Sequence, residues 1–128
     1  FDKEDSALNR RTVYRFSPRG RRSAILDAFD CPDPSTAAPR RSVTTTPIQA
    51  LALLNNAFVL RMAEGFATRL VREAGQDITG QVNLAYALVY GRKPDAEETK
   101  LGASLASGHG MDALCRVLFN SNEFVVIE

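Results

Sequence analysis

Apolar positions in this chain recur mostly at three- and four-residue steps, the period of a helix that buries one face. The clearest case is 57–74. Phe58, Val59, Met62, Ala63, Phe66, Leu70 and Val71 line one side, while Arg61, Glu64, Thr68, Arg69, Arg72 and Glu73 fall mainly on the other. Asn55-Asn56 supplies a break and a new cap ahead of this run, and Gly75 a left-handed stop behind it. The preceding stretch is denser still. Thr46 and Gln49 fit a capping box, and Pro47 occupies the first helical position, where a missing N–H costs nothing. Ile48 to Leu54 is apolar almost all round, which predicts a buried helix. Residues 46–71 are therefore expected to form an internal two-helix spine, with later helices closing over it.

Those later helices are marked by their stripes and their stops. Asp77 or Thr79 opens one, Val82, Ala85, Tyr86 and Val89 face inward along it, and Gly91 ends it. After the linker Arg92-Lys93-Pro94, Asp95 caps the next helix with Glu98 three residues on, and Leu101 and Leu105 are its core contacts. Gly108-His109-Gly110 breaks the chain. Met111, Leu114, Cys115 and Leu118 mark a last amphipathic helix, and Ser121 caps a short terminal turn that presents Phe124 and Val125. Nearer the N-terminus, Ser23 caps two helical turns ending at Phe29. The prolines at 32, 34 and 39 then hold a loop. Thr12 to Phe16 alternates like a strand, and Ser42 to Thr45 is a second extended stretch that could pair with it. The predicted fold is mostly α: one compact helical domain over 1–128, a bundle of five to six helices with a possible short two-stranded β ribbon near the N-terminus.

Composition narrows the function without choosing one. The 128 residues suffice for a real core, and 45% hydrophobic with 24% charged residues is ordinary for a globular chain. A formal net charge of +1 disfavours a dedicated nucleic-acid binder, even though Arg10, Arg11, Arg15, Arg19, Arg21 and Arg22 cluster around Tyr14 and Phe16. No apolar run is long enough to cross a membrane. The chain starts at Phe1 and not Met. It reads as the C-terminal fragment of a longer multidomain protein, whose missing part would carry any targeting signal. Cys31 and Cys115 belong to no CxxC or CxxCH pattern, so zinc, thioredoxin-like chemistry and haem attachment lack support within this segment.

Few residues suggest chemistry. Asp27, Asp30 and Asp33 share a three-residue spacing that could gather hard oxygen donors around calcium. The glycine-punctuated loop of a calcium site is missing, and pairing with Arg40 and Arg41 is the plainer reading. His109, the one histidine, stands in Gly-His-Gly with no Ser or Cys signature beside it and reads as an exposed loop residue. Gln49 and Asn55 are polar groups in the most apolar region, where capping and buried hydrogen bonding account for them.

An ordered set of segments carries a family resemblance: Arg10-Arg11-Thr12-Val13-Tyr14, Phe29-Asp30-Cys31-Pro32-Asp33, Arg40 through Leu51, Leu53-Leu54-Asn55, Tyr90-Gly91-Arg92-Lys93-Pro94 and Leu118 through Phe124. Together they resemble the C-terminal domain of large planctomycete proteins, a domain-of-unknown-function family numbered 1553. That resemblance implies an exported, periplasmic or cell-surface protein with a second uncharacterised domain upstream. It also implies, in many members, a cytochrome-c-like segment. No cofactor is expected in this segment, and haem c would bind upstream.

The resulting expectation is a non-catalytic docking module. It would meet its own upstream domains or another partner, a protein or a polysaccharide, through a polar seam of Arg10, Arg11, Asp30, Asp33, Arg40 and Arg41. Two alternatives stand beside it. Asp30, Asp33, Gln49 and Asn55 would line a shared active site acting on extracellular polysaccharide, or the domain would serve a cytochrome-like electron-transfer segment.

Overall fold

The structure is a computed structural model that describes residue 14, residues 24–31, residue 39 and residues 46–126. Seven α-helices and no strand occur among the described residues. The chain divides into two compact units, Phe1–Ala52 and Leu53–Glu128.

In the first unit, α1 (Ala24–Ala28) ends in a Schellman turn. Asp30 takes the left-handed conformation at φ 54°, its N–H donates to the Asp27 carbonyl at 3.3 Å, and the Cys31 N–H donates to the Leu26 carbonyl at 3.0 Å. The expected Ser23 cap and the extended stretch Ser42–Thr45 lie outside the described residues. Of the strand expected at Thr12–Phe16, Tyr14 alone is described, and it sits in a 3-10 turn, 70% exposed.

The helix α2 (Pro47–Asn55) starts as the capping box requires. The Thr46 N–H donates to Gln49 Oε1 at 3.2 Å, and the Gln49 N–H donates to Thr46 Oγ1 at 3.4 Å. Its expected burial does not hold. Ile48 and Leu51 are 67% and 57% exposed, and the residue of α2 that is buried is polar Gln49. Apolar composition on all sides buries a helix only where neighbours cover all sides, and folded surfaces keep much apolar area.

The second unit is a helical bundle of α3 (Ala57–Ala74), α4 (Ile78–Tyr90), α5 (Ala96–His109), α6 (Met111–Phe119) and the short α7 (Asn122–Val125). Contacts run from α3 to α4, α4 to α5, α5 to α6 and α6 back to α3, closing a ring. α7 rests on α4 and α6. The ring encloses Ala63, Ala67 and Leu70 of α3, Val82, Ala85 and Tyr86 of α4, Ala106 of α5, and Leu114, Cys115 and Leu118 of α6. Small residues let the helices approach: a Cβ at Gly102 of α5 would lie 3.1 Å from Val82 Cγ1.

Of these helices, α3, α4, α5 and α7 begin at a side-chain cap, whereas α6 starts at Gly110 without one. Asn56 Oδ1 accepts from the Phe58 N–H at 2.9 Å, and the Asp77 carboxylate accepts from Thr79 and Gly80. Asp95 and Glu98 complete a capping box in both directions, at 2.7 and 2.8 Å. Gly91 closes α4 in the left-handed conformation. The break expected across 108–110 falls at Gly110 alone, φ 96°, because α5 runs on through Gly108 and His109. Glycine inside a helix costs about 1 kcal/mol without ending it. Buried Gln81 donates through Nε2 to the Gly75 carbonyl, tying α4 to the end of α3. Arg116 Nε donates at 2.8 Å to the Leu54 carbonyl at the end of α2, where a helix leaves acceptors unpaired.

Candidate functional site

The densest polar constellation among the described residues is built around Arg92. Gly91 turns the chain sharply out of α4, so Arg92 folds back over the last turn of that helix. Its guanidinium stands 5.5 Å from the ring centres of both Tyr86 and Tyr90. The capping box of α5 holds Glu98 against it: Arg92 Nη1 donates to Glu98 Oε2 at 2.8 Å and Nη2 to Oε1 at 2.7 Å. From the other side α7 brings Glu123, which accepts from Nε at 2.7 Å and from Nη2 at 2.9 Å. Both pairs are two-pronged, the geometry in which arginine binds carboxylate best.

A second contact fixes α7 beside the first. The Tyr90 hydroxyl lies 2.8 Å from Ser121 Oγ and 3.3 Å from the Leu118 carbonyl, and Ser121 Oγ donates to the same carbonyl at 2.9 Å. Ser121 Oγ also accepts from the Phe124 N–H, capping α7. Phe66, Phe119 and Phe124 form a row with ring centres 5.5 and 5.2 Å apart. The buried Asn120 Oδ1 has no partner among the described residues.

Electrostatics set what this cluster can do. Hydrogen bonds from Arg92, then the Asp95 N–H, hold the Glu98 carboxyl down to about 2. Arg92 likewise holds Glu123 below its ordinary value, and the two carboxylates raise Arg92 in turn. Burial pushes both Tyr86 and Tyr90 up. At neutral pH the carboxylates are ionised and the phenols protonated, so no member of the cluster exchanges a proton there. Within the fold, the cluster ties the end of α4 to the start of α5 and to α7.

The residues expected to form a site fare unevenly. Arg10, Arg11, Asp33, Arg40 and Arg41 lie outside the described residues. Asp30 occupies the left-handed position that ends α1. Gln49 is 6% exposed and accepts the Thr46 N–H, while Asn55 is the exposed last residue of α2. His109 is exposed at the end of α5. Both thiols are free, Cys31 exposed and Cys115 buried. No group of three or more His, Cys, Asp or Glu among the described residues is placed to hold a metal ion. No helix among them is long and apolar enough to cross a membrane.

Reading the sequence missed Arg92, Glu98 and Glu123 as one unit. The signal was present in the resemblance: Tyr90-Gly91-Arg92-Lys93-Pro94 and Asn120-Ser121-Asn122-Glu123-Phe124 are two of its segments, and the fold brings them together.

Comparison with known proteins gives one match. A family model described as PSD1, protein of unknown function (DUF1553), matches residues 2–106. This stretch includes Tyr86, Tyr90, Arg92 and Glu98 and stops short of Ser121 and Glu123. No curated protein and no solved structure matches the chain.

Proposed function

The chain belongs to the DUF1553 family, and from that premise we propose that its helical unit, 53–128, is a non-catalytic docking module that seats other domains of the same polypeptide. The observation that carries this reading is Phe124-Val125-Val126. These three consecutive apolar side chains are 44%, 38% and 48% exposed, on a segment held in place by the Arg92 cluster. Isolated surface hydrophobes are normal, but an adjacent run at an anchored terminus offers a contact face. The charged cluster beside it supplies anchoring, since its carboxylates and guanidinium are already committed to one another. The exported, cell-surface setting implied by the family resemblance is part of the same proposal, and the net charge of +1 keeps nucleic acid outside it.

The test compares amide exchange in the natural full-length protein and in this 128-residue chain. Docking requires Phe124, Val125 and Val126 to gain protection in the longer protein. Equal exchange at those amides in the two forms sinks the proposal.

A further inference from the structure

We propose that residues 121–126 form a strap that opens and recloses over Phe119 as a unit, without disturbing the bundle beneath it. This stands on the latch geometry alone and is independent of what the apolar run docks against.

Three observations converge. The first is that α7 has no buried residue and only four residues in all. A helix that short has no stability of its own, so it unwinds when it leaves the surface. The second is that what holds it is polar: the exposed Glu123 fork on Arg92, and the half-buried Tyr90–Ser121 contact. Phe124 on Phe119 is its ring contact. Exposed ion pairs are screened by salt and are modest in strength.

The third observation concerns what opening leaves behind, because every group that loses α7 keeps a partner inside the bundle. Arg92 retains both Glu98 oxygens and both tyrosine faces. Phe119 remains stacked on Phe66. The Tyr90 hydroxyl lies within reach of the Leu118 carbonyl at 3.3 Å, and the Tyr90 ring stays edge-on to the Tyr86 ring. A staple holding the bundle together would leave a buried charge bare on release, whereas this contact leaves none. The strap therefore sits at the low end of the local-opening scale, while the ring of α3 to α6 sits at the high end.

The chain contains no tryptophan, so Phe124→Trp places a single reporter on the strap. Acrylamide quenching of that indole is compared in the parent and with Glu123→Gln added, and across salt up to about 1 M. The expected result is quenching that rises about twofold with the substitution and with salt, while helical ellipticity and the urea midpoint stay unchanged. In the unsubstituted chain, ring-to-ring NMR cross-peaks between Phe119 and Phe124 should fade over the same salt range. This second measurement guards against the indole itself disturbing the contact. Quenching and cross-peaks that ignore both perturbations overturn the strap. A urea midpoint that falls together with the rise in quenching overturns it equally, because α7 would then be part of the cooperative core.

Discussion

Cys115 shows what burial does to a single group in this fold. It has no exposed surface, it packs among Leu114, Leu118 and the α3 face, and loss of hydration pushes its thiol up to about 12. The thiolate is the reactive form, so both access and ionisation protect it. Cys31 is exposed, one residue past the left-handed Asp30. Alkylation with iodoacetamide near pH 8 should therefore modify Cys31 alone in the native chain, with Cys115 following only in denaturant. Mass spectrometry of the labelled peptides checks this, and native labelling of Cys115 would contradict the packing of α6. Asp30 itself shows how one residue can be read two ways. The sequence places it in a row of three aspartates, which suggests a ligand. The backbone uses it as one of the few non-glycine types that tolerate positive φ.

At the scale of elements, glycines separate packing from propensity. A Cβ at Gly65 on α3 meets nothing within 4 Å, while one at Gly102 on α5 meets Val82 Cγ1 at 3.1 Å. Gly65→Ala should stabilise the chain by about 0.5–1 kcal/mol, the ordinary gain for replacing glycine inside a helix. Gly102→Ala carries the same helical gain but must displace Val82, a fully buried side chain, so its urea midpoint should fall below that of Gly65→Ala. Equal midpoints would mean that the α4–α5 contact is looser than described. Helix starts were legible in the sequence because their chemistry is local. Thr46 with Gln49, Asn56, Asp77, Asp95 with Glu98, and Ser121 all bond within two or three residues. The amphipathic faces of α3 and α6 were legible for the same reason. Burial of α2 was not, because an all-round apolar pattern says nothing about whether enough neighbours exist to cover it. Arg92 to Glu123 and Arg116 to Leu54 were not legible either. Those partners lie 31 and 62 residues apart, and only the tertiary fold decides which arginine meets which acceptor.

For the molecule as a whole, the paired carboxylates dictate an acid dependence whose sign can be worked out. Glu98 is held at about 2 by Arg92 and the Asp95 N–H, and Glu123 and Glu73 are lowered by Arg92 and Arg69 respectively. An unfolded glutamate titrates near about 4.3. A group whose folded value is depressed stabilises the fold above the unfolded value, and that contribution disappears as pH falls through the folded value. The window is therefore from about pH 5 down to about pH 2, and no change from these groups is expected between neutrality and pH 5. Glu73 and Glu123 are exposed and Glu98 is only half-buried, so the effect is modest and is best read as a difference between variants. Glu98→Gln serves this purpose because glutamine still closes the capping box with Asp95 and removes only the charge. Its urea midpoint should lie below the parent at pH 7 and change less on acidification, so that the two curves converge near pH 2. Adding Glu123→Gln should lower the neutral-pH midpoint little further if α7 opens independently of the bundle. Parallel curves for the parent and Glu98→Gln would instead place the acid sensitivity outside the Arg92 cluster, among the other acidic residues of the chain.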